Sequence, residues 1–345
     1  MLKISTDCVV LPEKFLNGFV TDFYLYLVQI LQAINPRFQL VSSRDFTPSN
    51  SLKRVFIVSL AHWPDEHLHK IRAIHPSTTV YCWYDDVIWR SEEARKANVY
   101  LFDKVDCIVY SSKYAFLDMW GKYESKSFWV PFFVSPYGNL PYTTNVKPRC
   151  LLAGSCEPHY YPVRHYIKSA ESPFVDVLEH PGYTPGNTAS GIRSNYHNLL
   201  ASYFCCVTDG GQSHAACNYM IVGQKRVFDR PVDEYLVEMM GSEKFLSFKT
   251  RSQVVLKFFE IPAAGSLLIV GAKIPDLDEM GFKHFENYIC TSQTEVLDVI
   301  ADCCSHPDRY EFVRRNGWEH SKLHTMQQRQ GRLKEILEAV DAKRK

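Results

Sequence analysis

Two charged residues stand inside a segment that otherwise reads as core: Lys257 and Glu260 in KFFEIPAAGSLLIV, residues 257–270. A buried carboxylate without partners is expensive, but one that accepts hydrogen bonds from vicinal hydroxyls is not without partners. The plainer alternative is a Glu260–Lys257 pair at i, i+3 on an exposed helix face. A second site for chemistry is the carboxylate pair Asp85 and Asp86, which directly follows the aromatic run VYCWY. One of the two can serve as a general base towards a hydroxyl. Adjacent side chains diverge, so only one would serve, and Asp86 is preferred over Asp85. The alternative is a turn or N-cap pair with no chemistry.

Other signals are discounted. Asp276 and Asp278 in DLD have the spacing of a metal-binding carboxylate pair, but they fall in an expected loop with no second ligand set. His67 and His69 in HWPDEHLH would diverge on a helix, and a solvated helix face accounts for them. The run DGGQSH at 209–214 follows a strand and either contacts a ligand or is a glycine turn. The 11 cysteines include no C-x-x-C pair, and buried free thiols in a reducing compartment account for them. No metal site is expected.

These residues need elements to hold them. CVVL (8–11), RVFIVSL (54–60), TTVYCWY (78–84), VDCIVYSS (105–112) and KSFWVPFF (126–133) read as strands. Several are continuous apolar runs, as in strands covered on both faces. GFVTDFYLYLVQILQAI (18–34) and KYAFLDMWGKY have helical repeats. VSPYGNLPYTTNVKPRC (134–150) reads as a linker. The rhythm then restarts with CLLAGS (150–155), the Pro-started helix YPVRHYIKSA (161–170), and the strands FVDVLE, YFCCVTD, SLLIV and YIC. Residues 209–250 fit a loop plus a helix near 231–241. Helices close the chain. In TRSQVVLKFFEIPAAG, Thr250 or Ser252 can cap a helix that ends at Gly265. Pro262 then either kinks that helix or sits in the first turn of one that starts near Glu260.

The alternation predicts an α/β protein of two doubly wound, Rossmann-like domains facing a cleft. The expected boundaries are 1–140, 148–325, and a terminal helix, 326–345, packing back on the first domain. Ligands of such sheets bind beyond the carboxyl ends of strands. That directs attention to Asp85, Asp86, Ser111, Ser112, Gly154, Ser155 and the approach to Glu260. With 345 residues, 46% hydrophobic and 22% charged, the chain has the composition of a globular enzyme. Its net charge of +1 argues against general attraction to nucleic acid. The absence of a signal-like start and of an apolar run near 18 residues leads to the expectation of a cytoplasmic, soluble protein.

The segment KFFEIPAAGSLLIV closely resembles the signature of GT-B glycosyltransferases related to the spore-maturation glycosyltransferases, the glycosyl transferases group 1-like family. There a Lys/Arg-x-Phe/Tyr-Glu-x-x-Ala-x-Gly segment precedes an apolar strand. CLLAGSCEPHYYPVRHYI is similar to the Gly-Ser loop and Tyr-Pro-x-Arg segment that opens the donor domain. VDCIVYSSKYAFLDMW with WVPFFVSP resembles the end of the first domain, and the chain end carries Gly317, His324, Thr325 and Arg329 in family order. The resemblance covers roughly residues 80–345 and is thin over the first 75.

The resemblance implies transfer of a sugar from a nucleotide-diphosphate sugar to an acceptor hydroxyl, with no obligatory metal or other cofactor. Glu260 would bind the ribose. Lys257, Arg164 and Arg251 would supply charge to the diphosphate, and Gly154, Ser155, Tyr161 and Gly265 would complete donor binding. For Arg164 the alternative is a surface arginine. Wider relatives carry two glutamates eight positions apart; here the upstream position is Ser252, so no retaining outcome is implied. The acceptor would be a glycan, a protein or a small molecule, with no nucleic acid and no membrane span. The rival expectations are a GT-B-shaped binding protein without transfer activity and a sugar-nucleotide epimerase of the same fold.

Overall fold

The computed structural model describes residues 6–16, 21–60, 63, 65–85, 92–134, 139–156, 161–178, 189–212, 219–222, 225–228 and 252–344. The first sheet is built from β1 (Asp7–Leu11), β2 (Phe38–Ser42), β3 (Arg54–Ile57), β4 (Thr79–Tyr84), β5 (Cys107–Tyr110) and β6 (Ser127–Trp129). All pairs are parallel, in the order β2-β1-β3-β4-β5-β6. Helices α1 (Thr21–Ile34), α2 (Asp65–Arg72), α3 (Glu92–Lys104) and α4 (Lys113–Trp120) connect them. β1, β4 and β5 are buried at every position, which is why they read as unbroken apolar runs. β2 is absent from the sequence reading. It is a short edge strand, FQLVS, in which Phe38 alone is buried, so its apolar residues mark no covered face.

The second sheet holds β7 (Lys147–Ala153), β8 (Val175–Leu178), β9 (Tyr203–Thr208), β14 (Leu267–Val270) and β15 (Ile289–Cys290). It too is parallel, in the order β15-β14-β9-β7-β8. Between β9 and β14 lie two short antiparallel pairs, β10 (Gly211–Gln212) with β13 (Ser252–Gln253) and β11 (Tyr219–Val222) with β12 (Lys225–Phe228). The helix expected near 231–241 lies outside the described residues. The helices of this half are α5 (Pro162–Ser169), α6 (Ala189–Ala201), α7 (Lys257–Ala263), α8 (Pro275–Glu279), α9 (Val296–Ser305) and α10 (Glu311–Ser321). α5 starts with Pro162 in its first turn, as its sequence predicts.

The opening segment folds in neither expected way. Ser252 is in a strand, not a cap, and α7 begins at Lys257 with Pro262 near its end. The proline is tolerated because the helix is about to stop. Gly265, at φ +80°, reverses the chain; its N–H bonds to the Pro262 carbonyl at 2.9 Å and that of Ser266 to Ile261 at 3.2 Å. That pair of bonds is the Schellman closure. Residues 275–279, expected as loop, form α8, and Asp276 turns towards the start of α4.

The last helix, α11 (Met326–Lys343), leaves the second sheet and packs against α1. It buries Leu333, Ile336, Leu337 and Val340, each worth roughly 1.5–3 kcal/mol of apolar transfer at full burial. Tyr81 donates to Asp341, and Arg54 pairs with the same carboxylate at 3.2 Å. One apolar cluster therefore runs from Val9 and Tyr81 of the first sheet through α11 to Leu151 and Phe258 of the second half. Cys8, Cys107, Cys150 and Cys205 are buried free thiols in strands. No helix among the described residues is long and apolar enough to cross a membrane.

Candidate functional site

Each sheet reverses its winding once, between β1 and β3 in the first and between β7 and β9 in the second. Crevices at the carboxyl ends of such strand pairs are where doubly wound sheets hold ligands. Both reversal points carry a polar cluster.

In the second sheet, β7 ends in Gly154 at φ +101°, a conformation that L side chains rarely adopt. A Cβ there would lie 2.9 Å from Lys257 Cε, 3.2 Å from its Nζ and 3.6 Å from an Arg164 guanidinium nitrogen. The missing side chain thus leaves room for two cations to converge on the turn. Lys257 is half-buried and donates from Nζ to the Tyr196 hydroxyl at 2.7 Å. Arg164 is not a surface arginine: it is 2% exposed. Its Nε stands 2.8 Å from the Asp209 carboxylate, its Nη2 donates to Thr208 Oγ1 at 2.6 Å, and its face lies over the Tyr161 ring. A weaker bond reaches the Ser155 carbonyl at 3.4 Å. Burial raises the Asp209 carboxyl, against the pull of Arg164 and of backbone N–H groups, including that of Val163. Val163 is at the first turn of α5, so Asp209 both caps that helix and neutralises Arg164. Lys257, half-buried beside Gly154, is the second cation of this cluster.

Glu260 lies on α7 one turn after Lys257. It is 2% exposed, which rules out the exposed i, i+3 pair. Its Oε1 stands 3.4 Å from Nε2 of the wholly buried His197 on α6. Gly265 does not join this cluster. It closes α7 beyond Ala263, beside Tyr142 and Trp318, and its carbonyl accepts from Arg314.

In the first sheet, Asp85 directly follows β4. It is 1% exposed and accepts hydrogen bonds from Tyr24 and from Ser59 Oγ at 3.0 Å. Ser59 follows β3 with φ +57°. Asp86 and Arg251 lie outside the described residues. No cluster of three metal-ligating side chains occurs among the described residues.

Sequence reasoning brought Gly154, Ser155, Tyr161, Arg164 and Lys257 to one place. It missed Asp209 as their ion-pair partner, and it missed α6 with Tyr196 and His197. The available signal was a polar residue directly after a strand and the helical length of ASGIRSNYHNLLA.

A scan against protein families finds no match, and no curated protein matches the sequence. Solved structures do. The Anabaena protein HepE, in complex with UDP-glucose, superposes with a TM-score of 0.63 at 9% identity, over 96% of this chain and 99% of that one. The chain has the GT-B fold. A second GT-B neighbour is the sucrose-phosphate synthase of Thermosynechococcus elongatus, with a TM-score of 0.52 at 13% identity over 96% of this chain and 80% of that one. The pneumococcal O-GlcNAc transferase GtfA, in complex with UDP and GlcNAc, gives a TM-score of 0.48 at 11% identity; this chain is 83% covered and spans 57% of GtfA. In GT-B terms the Gly154–Lys257 crevice belongs to the second of the two sheets, and the Asp85 cluster to the first.

Proposed function

We propose that the chain transfers a glycosyl unit from a nucleoside-diphosphate sugar to an acceptor hydroxyl. The observation that carries this is the cationic turn: Lys257 held against Gly154 at the winding reversal of the second sheet. A diphosphate bound there would meet the ammonium group of Lys257 and the open backbone of the turn. Arg164 acts behind it, fixing the Gly154–Ser155 loop through the Ser155 carbonyl. As the bond from the sugar C1 to the diphosphate oxygen breaks, the charge left on that oxygen is stabilised by Lys257. The bond from C1 to the acceptor oxygen forms, and the acceptor proton passes to a carboxylate of the Asp85–Asp86 pair. With the charge supplied by the protein, no divalent metal is required. HepE, with UDP-glucose, supports this reading by analogy of fold. Glu260 would receive the ribose hydroxyls once the groups that cover it draw back.

One observation favours a second reading, a GT-B chain that binds a nucleotide without transferring sugar: Asp85 is buried and already engaged by Tyr24 and Ser59. Thermal shift and calorimetry with UDP, GDP, ADP, CDP and their sugar conjugates, with magnesium or with EDTA, separate the two. Transfer or slow hydrolysis of a bound sugar nucleotide in EDTA supports the first. Binding of the nucleotide with neither reaction supports the second. No binding of any of these defeats both.

A further inference from the structure

α6 and α7 meet through two adjacent polar contacts. Tyr196 accepts from Lys257, and the next residue, His197, faces Glu260. One pair of neighbouring residues on α6 thus backs both polar positions of the K-x-x-E turn on α7. The two contacts differ. The first is a complete hydrogen bond of 2.7 Å. In the second, Nε2 stands 3.4 Å from the carboxylate, and neither ring nitrogen of His197 has a hydrogen-bond partner among the described residues. An imidazole that is 0% exposed, with both nitrogens unpaired, is costly to keep in a core. A small rotation of Glu260 would shorten the contact into a hydrogen bond.

We infer that His197 is a positioning residue for Glu260, holding one carboxylate oxygen from behind so that the other accepts the vicinal hydroxyls of a bound ribonucleotide. This rests on the reading of Glu260 given under Proposed function. Imidazole and diol would pull the carboxylate from opposite sides, so the contact at His197 tightens when the diol is present. The site would then select ribonucleotides over 2′-deoxyribonucleotides, and that selection would depend on a residue that touches no ligand.

The test measures affinity for UDP, GDP, ADP and CDP and for their 2′-deoxy counterparts by calorimetry, in wild type, His197→Leu, His197→Gln, Glu260→Gln and His197→Leu/Glu260→Gln. His197→Gln is close in volume and places an amide near Nε2, so it keeps the fold and the contact. In wild type the ribonucleotide should bind about tenfold or more tightly than its 2′-deoxy form, the scale of a charge-assisted hydrogen bond. That ratio should collapse towards unity in His197→Leu and be largely restored in His197→Gln. The two losses should be non-additive in the double variant. A ratio unchanged in both His197 variants, or fully additive losses, overturns the role of His197 while leaving Glu260 as a ribose ligand. Unchanged affinity in Glu260→Gln, or no binding of any nucleotide by wild type, defeats the reading of Glu260 and the inference with it.

Discussion

Asp276 caps a helix that belongs to the other sheet. Its carboxylate accepts the Ser112 hydroxyl at 2.7 Å, the Lys113 N–H at 2.9 Å and the Tyr114 N–H at 3.1 Å. Ser112 is the N-cap of α4 but does not cap it with its own side chain; its hydroxyl accepts from the Val254 N–H instead. Three residues on from Asp276, Glu279 pairs with Lys113 at 2.6 Å and accepts from Tyr114. The start of α4 is therefore completed only when the segment after β14 is docked on it. Burial pushes the Asp276 carboxyl above its usual range, and the three donors oppose that shift.

The DLD segment is thus a joint rather than a metal site. Asp276→Ala should lower the free energy of unfolding by about 1–3 kcal/mol, since a lost cap and stranded buried donors each cost on that scale. Asp278→Ala should stay within about 0.5 kcal/mol, because its side chain is largely exposed. Urea unfolding followed by circular dichroism checks both. Equal effects of the two variants would sink the capping role.

Lys257→Met should raise the dissociation constant for the best-binding nucleoside diphosphate by about 10–100-fold, the loss of a charge-assisted contact to phosphate. Tyr196→Phe should do less, since it removes one hydrogen bond to the ammonium group and leaves the charge in place. Neither should shift the unliganded melting temperature by more than a few degrees, because Lys257 is only half-buried. Calorimetric titration reads the binding. Affinity unchanged in Lys257→Met would place the diphosphate elsewhere.

Gly154→Ala tests the turn itself. The new Cβ would sit 2.9 Å from Lys257 Cε on backbone at φ +101°, at a strain of roughly 1–3 kcal/mol. Lys257 is the flexible party and would be displaced, so nucleotide affinity should fall about as far as in Lys257→Met. Gly121→Ala is the control, since nothing lies within 4 Å of a Cβ there. A Gly154→Ala protein with wild-type affinity would mean that Lys257 needs no open turn.

The Gly154–Lys257 cluster was legible because its members are separated by punctuation that has local causes. Gly154 ends a strand, Pro162 starts a helix, and the K-x-x-E turn precedes an apolar strand. What was not legible depends on distant pairing. Asp209 looks like a turn residue until β7 and β9 are placed side by side, and only then does it face Arg164. His197 and Tyr196 sit in a helix whose apolar positions Ile192, Tyr196, Leu199 and Leu200 are spaced by polar and small residues, so α6 is easily passed over as loop. The capping role of Asp276 requires the second half of the chain to meet the first, and no spacing rule reports that. Pro262 is ambiguous for a related reason: a proline inside a pattern suggests a break, whereas here the helix runs through it for one more residue before the Gly265 closure.

The closing helix carries the last prediction. His324 lies between Phe259 and Phe282, and its Nδ1 accepts from Arg329 Nη2 at 2.8 Å. A guanidinium only donates, so Nδ1 is bare and the ring proton sits on Nε2, which faces His320 Nε2 at 3.1 Å. Arg329 also holds the Pro131 carbonyl at 3.2 Å, tying α11 to the end of the first sheet. Burial, then the charges of Arg329 and His320, lower His324 from its ordinary 6.5 to about 3. The folded state thus keeps His324 neutral where the unfolded chain takes up a proton. Stability is fully present above pH 6.5 and is lost as pH falls from there towards 3, by up to about 1.4 kcal/mol per pH unit from this group. Burial lowers His320 as well, so it shares the slope. His324→Gln keeps an acceptor for Arg329 and cannot titrate. Its unfolding free energy should be lower than wild type at pH 7 but should fall less steeply between pH 6.5 and 4.5. Urea unfolding at several pH values measures both slopes, and equal slopes would remove His324 from the acid response.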